Sequence, residues 1–111
     1  MIGGFVLGNN PSSPRIAIRG LGPSLTSSGL ANVLADPTLE LHNGNGTIMI
    51  SNDNWTDDPA SAAQLTAFGL APKDLKEAGI FATLPPGQFT VILAGKDGGV
   101  GLGWVEIYNV K

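Results

Sequence analysis

The chain has 111 residues, 42% of them apolar and only 14% charged, enough to build one domain with a real core and too few charges for a disordered polyelectrolyte. Six Lys and Arg stand against nine Asp and Glu, for a net charge of -3, and there is no basic run, which argues against nucleic acid as a partner. No apolar stretch approaches the ~20 residues of a membrane span, and with no cysteine there are no disulfides, thiolate metal sites or cysteine nucleophiles.

Sixteen glycines and eight prolines, without a collagen-like period, fit many short strands joined by tight turns. In chain order, residues 4 to 7 and 15 to 21 read as a first strand pair, with Phe5 and Leu7, then Ile16 and Ile18, on the apolar face. Between them GNNPSSP is too rich in Pro and small polar residues for regular structure. Arg15, Ala17 and Arg19 share the face opposite Ile16 and Ile18. Residues 20 to 34, GLGPSLTSSGLANVL, read as an ordered loop with a helical turn whose leucines plug one end of the core.

Residues 36 to 58 hold two alternating segments around an Asn-Gly-Asn-Gly turn. A hairpin closed by Asn43 to Gly46 is expected to set Leu41 opposite Ile48 and Leu39 opposite Ile50, with all four on one face. Asp58 and Pro59 then supply the N-cap and first position of a short helix ending before Gly69, with Ala62, Leu65 and Phe68 as a narrow apolar stripe. Three more strands are expected, Ile80 to Leu84, Phe89 to Ala94 and Gly101 to Tyr108, the last two forming a hairpin through Lys96 to Gly99. The sum is an all-β fold: an antiparallel, jelly-roll-like β-sandwich of about seven strands, with one short helix near residues 59 to 68, in a single module spanning 1 to 111.

Several segments in order carry a resemblance: GGFVLG from residue 3, IAIRGLGPSL at 16 to 25, LADPTLEL at 34 to 41, SNDNW at 51 to 55, LPPGQFTVILAG at 84 to 95 and VEIYNV at 105 to 110. Together they resemble a domain repeated in large bacterial secreted or surface proteins, and more distantly the pre-peptidase C-terminal type of β-sandwich appended to secreted hydrolases. The resemblance implies a non-catalytic, extracellular or cell-surface role in adhesion, substrate targeting or assembly, with the export signal outside this chain. The family pattern also implies a strand upstream of the GGF segment. Its lack would open a sheet edge for self-association, or for neighbouring domains of a larger protein.

Three groups of residues are candidates for chemistry. Asn52, Asp53, Asn54, Asp57 and Asp58, with Asp36 near in space, could offer oxygens to a structural calcium ion, although the EF-hand register is absent. The bland alternative makes Asp58 a helix cap, Asp53 and Asn54 turn formers, and Trp55 the cover of a core edge. Trp55, Trp104 and Tyr108 could stack on sugar rings of a polysaccharide, with Trp104 and Tyr108 on one strand face and Glu106 between them; packing at a sheet edge is the alternative.

Arg19, ahead of Gly20-Leu21-Gly22-Pro23-Ser24, could serve an anion site, yet neither a Walker lysine nor GxGxxG spacing accompanies it. A structural clamp onto Asp36 or Glu40 is the reading we favour. Catalysis has little to draw on: His42 is the single histidine and falls on the solvent side of its hairpin, and no G-x-S-x-G motif occurs. A small hydrolase is thus the remote alternative. Asn45-Gly46-Thr47 and Asn54-Trp55-Thr56 match the glycosylation acceptor pattern, expected to be chance in a protein of bacterial type.

Overall fold

The computed structural model describes residues 1 to 8 and 14 to 110, so most of the GNNPSSP segment lies outside the described residues. Within them the chain forms seven strands: β1 (Ile2–Leu7), β2 (Arg15–Leu21), β3 (Pro37–Asn43), β4 (Ile48–Asn52), β5 (Ala78–Thr83), β6 (Gly87–Gly95) and β7 (Trp104–Val110). They build two antiparallel sheets, one in the order β1-β6-β3-β4 and one in the order β5-β2-β7. The expected antiparallel β-sandwich is what forms. No described helix is long and apolar enough to cross a membrane.

Period-2 alternation explains which side chains meet between the sheets. Ile16 and Ile18 of β2, Leu39 and Leu41 of β3, Ala78 and Ile80 of β5, and Phe89, Val91 and Leu93 of β6 are all buried in one cluster. Phe5 of β1 stacks on Phe89, its register partner, with ring centroids 5.3 Å apart. Each fully buried Leu or Ile contributes roughly 1.5–3 kcal/mol relative to exposure, so this cluster is the main stabilising term.

The pairing corrects three expectations. β1 and β2 are not partners: β1 pairs with β6, and β2 pairs with β5 and β7 in the other sheet. Likewise β6 and β7 are not a hairpin, because the turn at Lys96–Gly98 carries the chain from one sheet to the other. Only β3 and β4 pair as sequence neighbours, and there Leu41 faces Ile50, Leu39 faces Asn52, and a bulge follows at Leu41/His42.

The bulge has a local cause. Asn43 Oδ1 accepts N–H bonds from Asn45 at 2.9 Å and Thr47 at 3.0 Å, which lengthens the turn and shifts the register. Ile50 still packs against the core, but Ile48 falls beyond the bulge and is 51% exposed.

The short helix α1 (Pro59–Ala67) starts as expected. Asp58 Oδ1 accepts from the N–H groups of Ala60 at 3.1 Å and Ser61 at 3.3 Å, and Pro59 occupies the first turn, where no N–H is needed. Its buried contacts are Leu65 and Ser61, whose hydroxyl accepts from Phe81 N–H at 2.9 Å. Helix and strand come this close because β5 has a glycine there: a Cβ on Gly79 would lie 2.8 Å from Leu65 and 3.0 Å from Trp55.

Candidate functional site

The outer face of the β5-β2-β7 sheet carries the richest side-chain chemistry. With Val105 and Ile107 packed against the core, β7 turns Trp104, Glu106 and Tyr108 outward, and β2 turns Arg19 outward beside Glu106, its register partner. Arg19 Nε donates to Glu106 Oε1 at 2.8 Å, and one terminal nitrogen of the same guanidinium donates to the same oxygen. Tyr108 Oη donates to that oxygen too, at 2.9 Å. Arg19 is therefore a clamp, as expected, but its acid is Glu106 rather than Asp36 or Glu40.

The clamp changes the aromatic surface. The Arg19 guanidinium lies 5.8 Å from the centroid of the Tyr108 ring. Tyr108 is thus half-buried and engaged at both face and hydroxyl, and burial, followed by its bond to Glu106, raises its pKa above the usual phenol value. Trp104, by contrast, is 51% exposed. The two rings share a strand face, but only the indole offers a surface to a ligand.

Beside Trp104 a cleft of about 470 Å³ opens between this face and the 3-10 turn Pro23–Ser28. Its apolar wall is Leu21, Leu25, Leu30 and Trp104, and its polar groups are Ser24, Ser27, Ser28, Arg19, Glu106 and Lys73. A second cleft of about 490 Å³ is walled by Met1, Leu34, Leu93, Ala94, Gly95 and residues 98 to 103, none of which carries a polar side chain. Orientation and specificity require placed polar groups, so the first cleft is the better candidate.

The wall of that cleft is built by a residue that sequence reading missed. Glu77 is fully buried, yet among the described residues no cation pairs with it. Its Oε2 accepts from the N–H groups of Gly22 at 2.8 Å and Ser24 at 3.0 Å and from the Ser24 hydroxyl at 2.6 Å, while Oε1 accepts from Asp74 N–H at 3.2 Å. The Gly-Pro-Ser turn does cradle an anion, and the anion is the chain's own carboxylate. Gly22 has no room for a side chain beside Leu34, since a Cβ there would lie 2.3 Å from Leu34 O. No local pattern signals this, because Glu77 reaches partners 53 and 55 positions away.

Trp55 lies in the same framework, packed against Gly79 of β5. Its N–H donates to Glu77 O at 2.9 Å and its indole Nε1 to Asp74 O at 3.2 Å, so it ties the loop before β5 to the helix corner and stays half-buried.

Most of the oxygen cluster around it is already in use. Asp58 caps α1, Asp57 Oδ2 accepts from Asn54 N–H at 3.3 Å, and Asn52 Oδ1 accepts from Gly79 N–H at 2.9 Å. Asp53 Oδ2 holds Lys96 Nζ at 2.7 Å. Asp36 Oδ1, Asp53 Oδ1 and Asn54 Oδ1 remain as buried oxygens without a hydrogen-bond partner among the described residues. Calcium wants six to eight oxygens, so it would fit this set only with solvent filling about half of its shell, beside the Lys96 ammonium.

Among the described residues no group of three or more His, Cys, Asp or Glu is arranged around a metal position. Asp36 sits close to Asp53, and burial, then Asp53, raises its pKa above the ordinary carboxylate value against the opposing charges of Lys96 and Lys76.

His42 is on the outer face of the other sheet, with Nδ1 3.1 Å from Gly46 O and Nε2 3.0 Å from Glu40 Oε1. Those two partners raise its pKa, the Gly46 carbonyl more than Glu40. The one histidine and the cleft therefore lie on opposite sides of the sandwich. Compared with protein-family models, curated proteins and solved structures, the chain matches none.

Proposed function

We propose that this chain is a non-catalytic β-sandwich module of an extracellular or cell-surface protein, and that it attaches to carbohydrate through the Trp104 cleft. The observation that carries the reading is the exposed indole forming one wall of a cleft of about 470 Å³ whose other walls present serine hydroxyls and a fixed Arg19–Glu106 pair. A sugar ring has an apolar face for stacking and hydroxyls that need directed partners, and this cleft offers both.

The non-catalytic part of the reading draws on how the reactive groups are held. Glu106 is engaged by Arg19 and Tyr108, and the Ser24 hydroxyl is committed to buried Glu77. Neither is poised as a base or nucleophile, which require a free lone pair aimed at substrate.

The test is retention on a panel of immobilised polysaccharides, comparing the natural chain with Trp104→Ala and Trp104→Phe. Trp104→Ala should weaken binding about tenfold with little change in melting temperature, since the side chain is half exposed, and Trp104→Phe should retain most of it. If the natural chain is retained on no polysaccharide, or if Trp104→Ala is retained equally, the proposal fails.

A second reading, assembly with copies of itself, draws on β1. This strand is an outer edge of its sheet, carries neither charge nor proline, and exposes Ile2 at 71% and Val6 at 70%. Bare edges of that kind pair with other strands. Concentration-dependent self-association in sedimentation would support it, and a constant monomer mass would exclude it.

A further inference from the structure

Granting the carbohydrate reading of the Trp104 cleft, on which this step rests, the charges around that cleft narrow the ligand class. Arg19 and Glu106 neutralise each other. Lys73, the remaining ionic side chain of the wall, forms no ion pair among the described residues.

The acids nearest to Lys73 in the chain are turned elsewhere. Asp74 Oδ1 accepts from Lys76 N–H at 2.9 Å, closing a local turn. The Glu77 carboxylate is fully buried and saturated by the Gly22, Ser24 and Asp74 donors. Arg19 also has N–H capacity to spare, because a guanidinium carries five donors and, among the described residues, this one adds to its Glu106 bonds only a long 3.5 Å contact to Leu70 O.

We infer that the cleft takes an anionic glycan, one built of uronate or sulfated sugars, with the ring against Trp104 and the acid group on Lys73. An indole, several hydroxyls and a free ammonium in one cleft match the three chemical parts of an acidic sugar. The whole chain carries a net charge of -3, and its part outside the cleft, without Arg19, Glu106 and Lys73, carries -4, so a polyanion is repelled elsewhere and held here. Lys73 is then the residue that separates acidic from neutral glycans.

The experiment measures binding by calorimetry to polygalacturonate, alginate and hyaluronate, each beside its methyl ester, and to dextran sulfate beside dextran. Esterification removes the charge and leaves the sugar ring in place. The acidic forms should bind about five- to tenfold more tightly than their neutral counterparts, and Lys73→Gln should erase that difference. Raising the salt concentration should do the same, while Trp104→Ala should weaken both forms. Preference for the carboxylated or the sulfated polymers identifies the source of the acid group.

Equal binding of acid and ester, with Lys73→Gln silent, overturns this inference and leaves the carbohydrate reading standing. Binding to none of the polymers overturns both. Dextran sulfate binding that ignores Trp104→Ala is ion exchange at the surface and also overturns the inference.

Discussion

Glu77 shows how much one side chain can organise. It is an acidic side chain, fully exposed in any extended chain and fully buried in the fold, where four donors from two loops converge on it. Removing it leaves the Gly22, Ser24 and Asp74 amides without an acceptor, and unsatisfied buried donors cost about 1–3 kcal/mol each. Glu77→Ala should therefore lower stability by about 3–5 kcal/mol, a fall of more than about ten degrees in melting temperature. Glu77→Gln should cost less, because one oxygen still accepts while the amide N–H₂ opposes the donors on the other side. Thermal melts of the two variants check this, and a melt for Glu77→Ala within a few degrees of the natural chain would show the cradle to be dispensable.

Asp36 makes the opposite prediction. Its pKa is raised, by burial first and by Asp53 second, so ionising it costs more in the folded chain than in the unfolded one. The penalty is absent below its ordinary value of 3.8 and complete once pH exceeds the raised folded value. Asp36→Asn removes the charge and should raise the melting temperature by a few degrees at pH 7, with the gain vanishing near pH 3. A gain of the same size at both pH values would mean that ionisation is not its source.

At the scale of elements, strands were legible and partners were not. Alternation and apolar runs placed a segment on each of the seven strands, because the side-chain period is a property of the strand alone, although Ile80 to Leu84 left out Ala78 of β5 and Gly101 to Tyr108 began ahead of β7. Partner choice depends on which surfaces the two sheets bury together, and here five of the six sequential connections leave the first strand for one that is not its neighbour in the sheet order. Sequence neighbours pair in most folds, so the default misled for β1 with β2 and for β6 with β7. The β3–β4 hairpin was legible from its turn, but its register moved through the Asn43 side chain and the bulge after Leu41.

The element most exposed to a consequence is β1, with bare Ile2 and Val6 on an open edge strand. Val6→Lys places a charge on that strand, a common means of blocking strand addition. It should abolish concentration-dependent self-association in sedimentation velocity while leaving the fold intact, since Val6 faces solvent. Self-association that persists in Val6→Lys would move the contact to another surface.

At the scale of the molecule, the sandwich gathers the candidate site from three separate stretches, residues 19 to 30, Lys73 and residues 104 to 106. The β2 end gives Arg19 and Leu21, the Pro23–Ser28 turn and Leu30 give one wall, Lys73 gives the ammonium, and the start of β7 gives Trp104 and Glu106. Reading the sequence singled out Arg19, Trp104 and Tyr108 from their types and parity, and it weighed a glycine-rich anion site at residues 20 to 24 only to prefer an arginine clamp. It could not show that Glu77 fills the cradle, that Glu106 neutralises Arg19, or that Tyr108 is drawn into the clamp while Trp104 stays open.

By itself, then, the sequence determined the class of fold, the strand segments, the cap of α1 and the absence of thiol chemistry, since each depends on composition or on neighbours a few residues apart. Sheet order, the Leu41/His42 bulge, the buried Glu77 carboxylate and the cleft beside Trp104 were decided only by tertiary structure. Each of these depends on packing or hydrogen bonds that form only once distant segments, or the two sides of a turn, have been brought together.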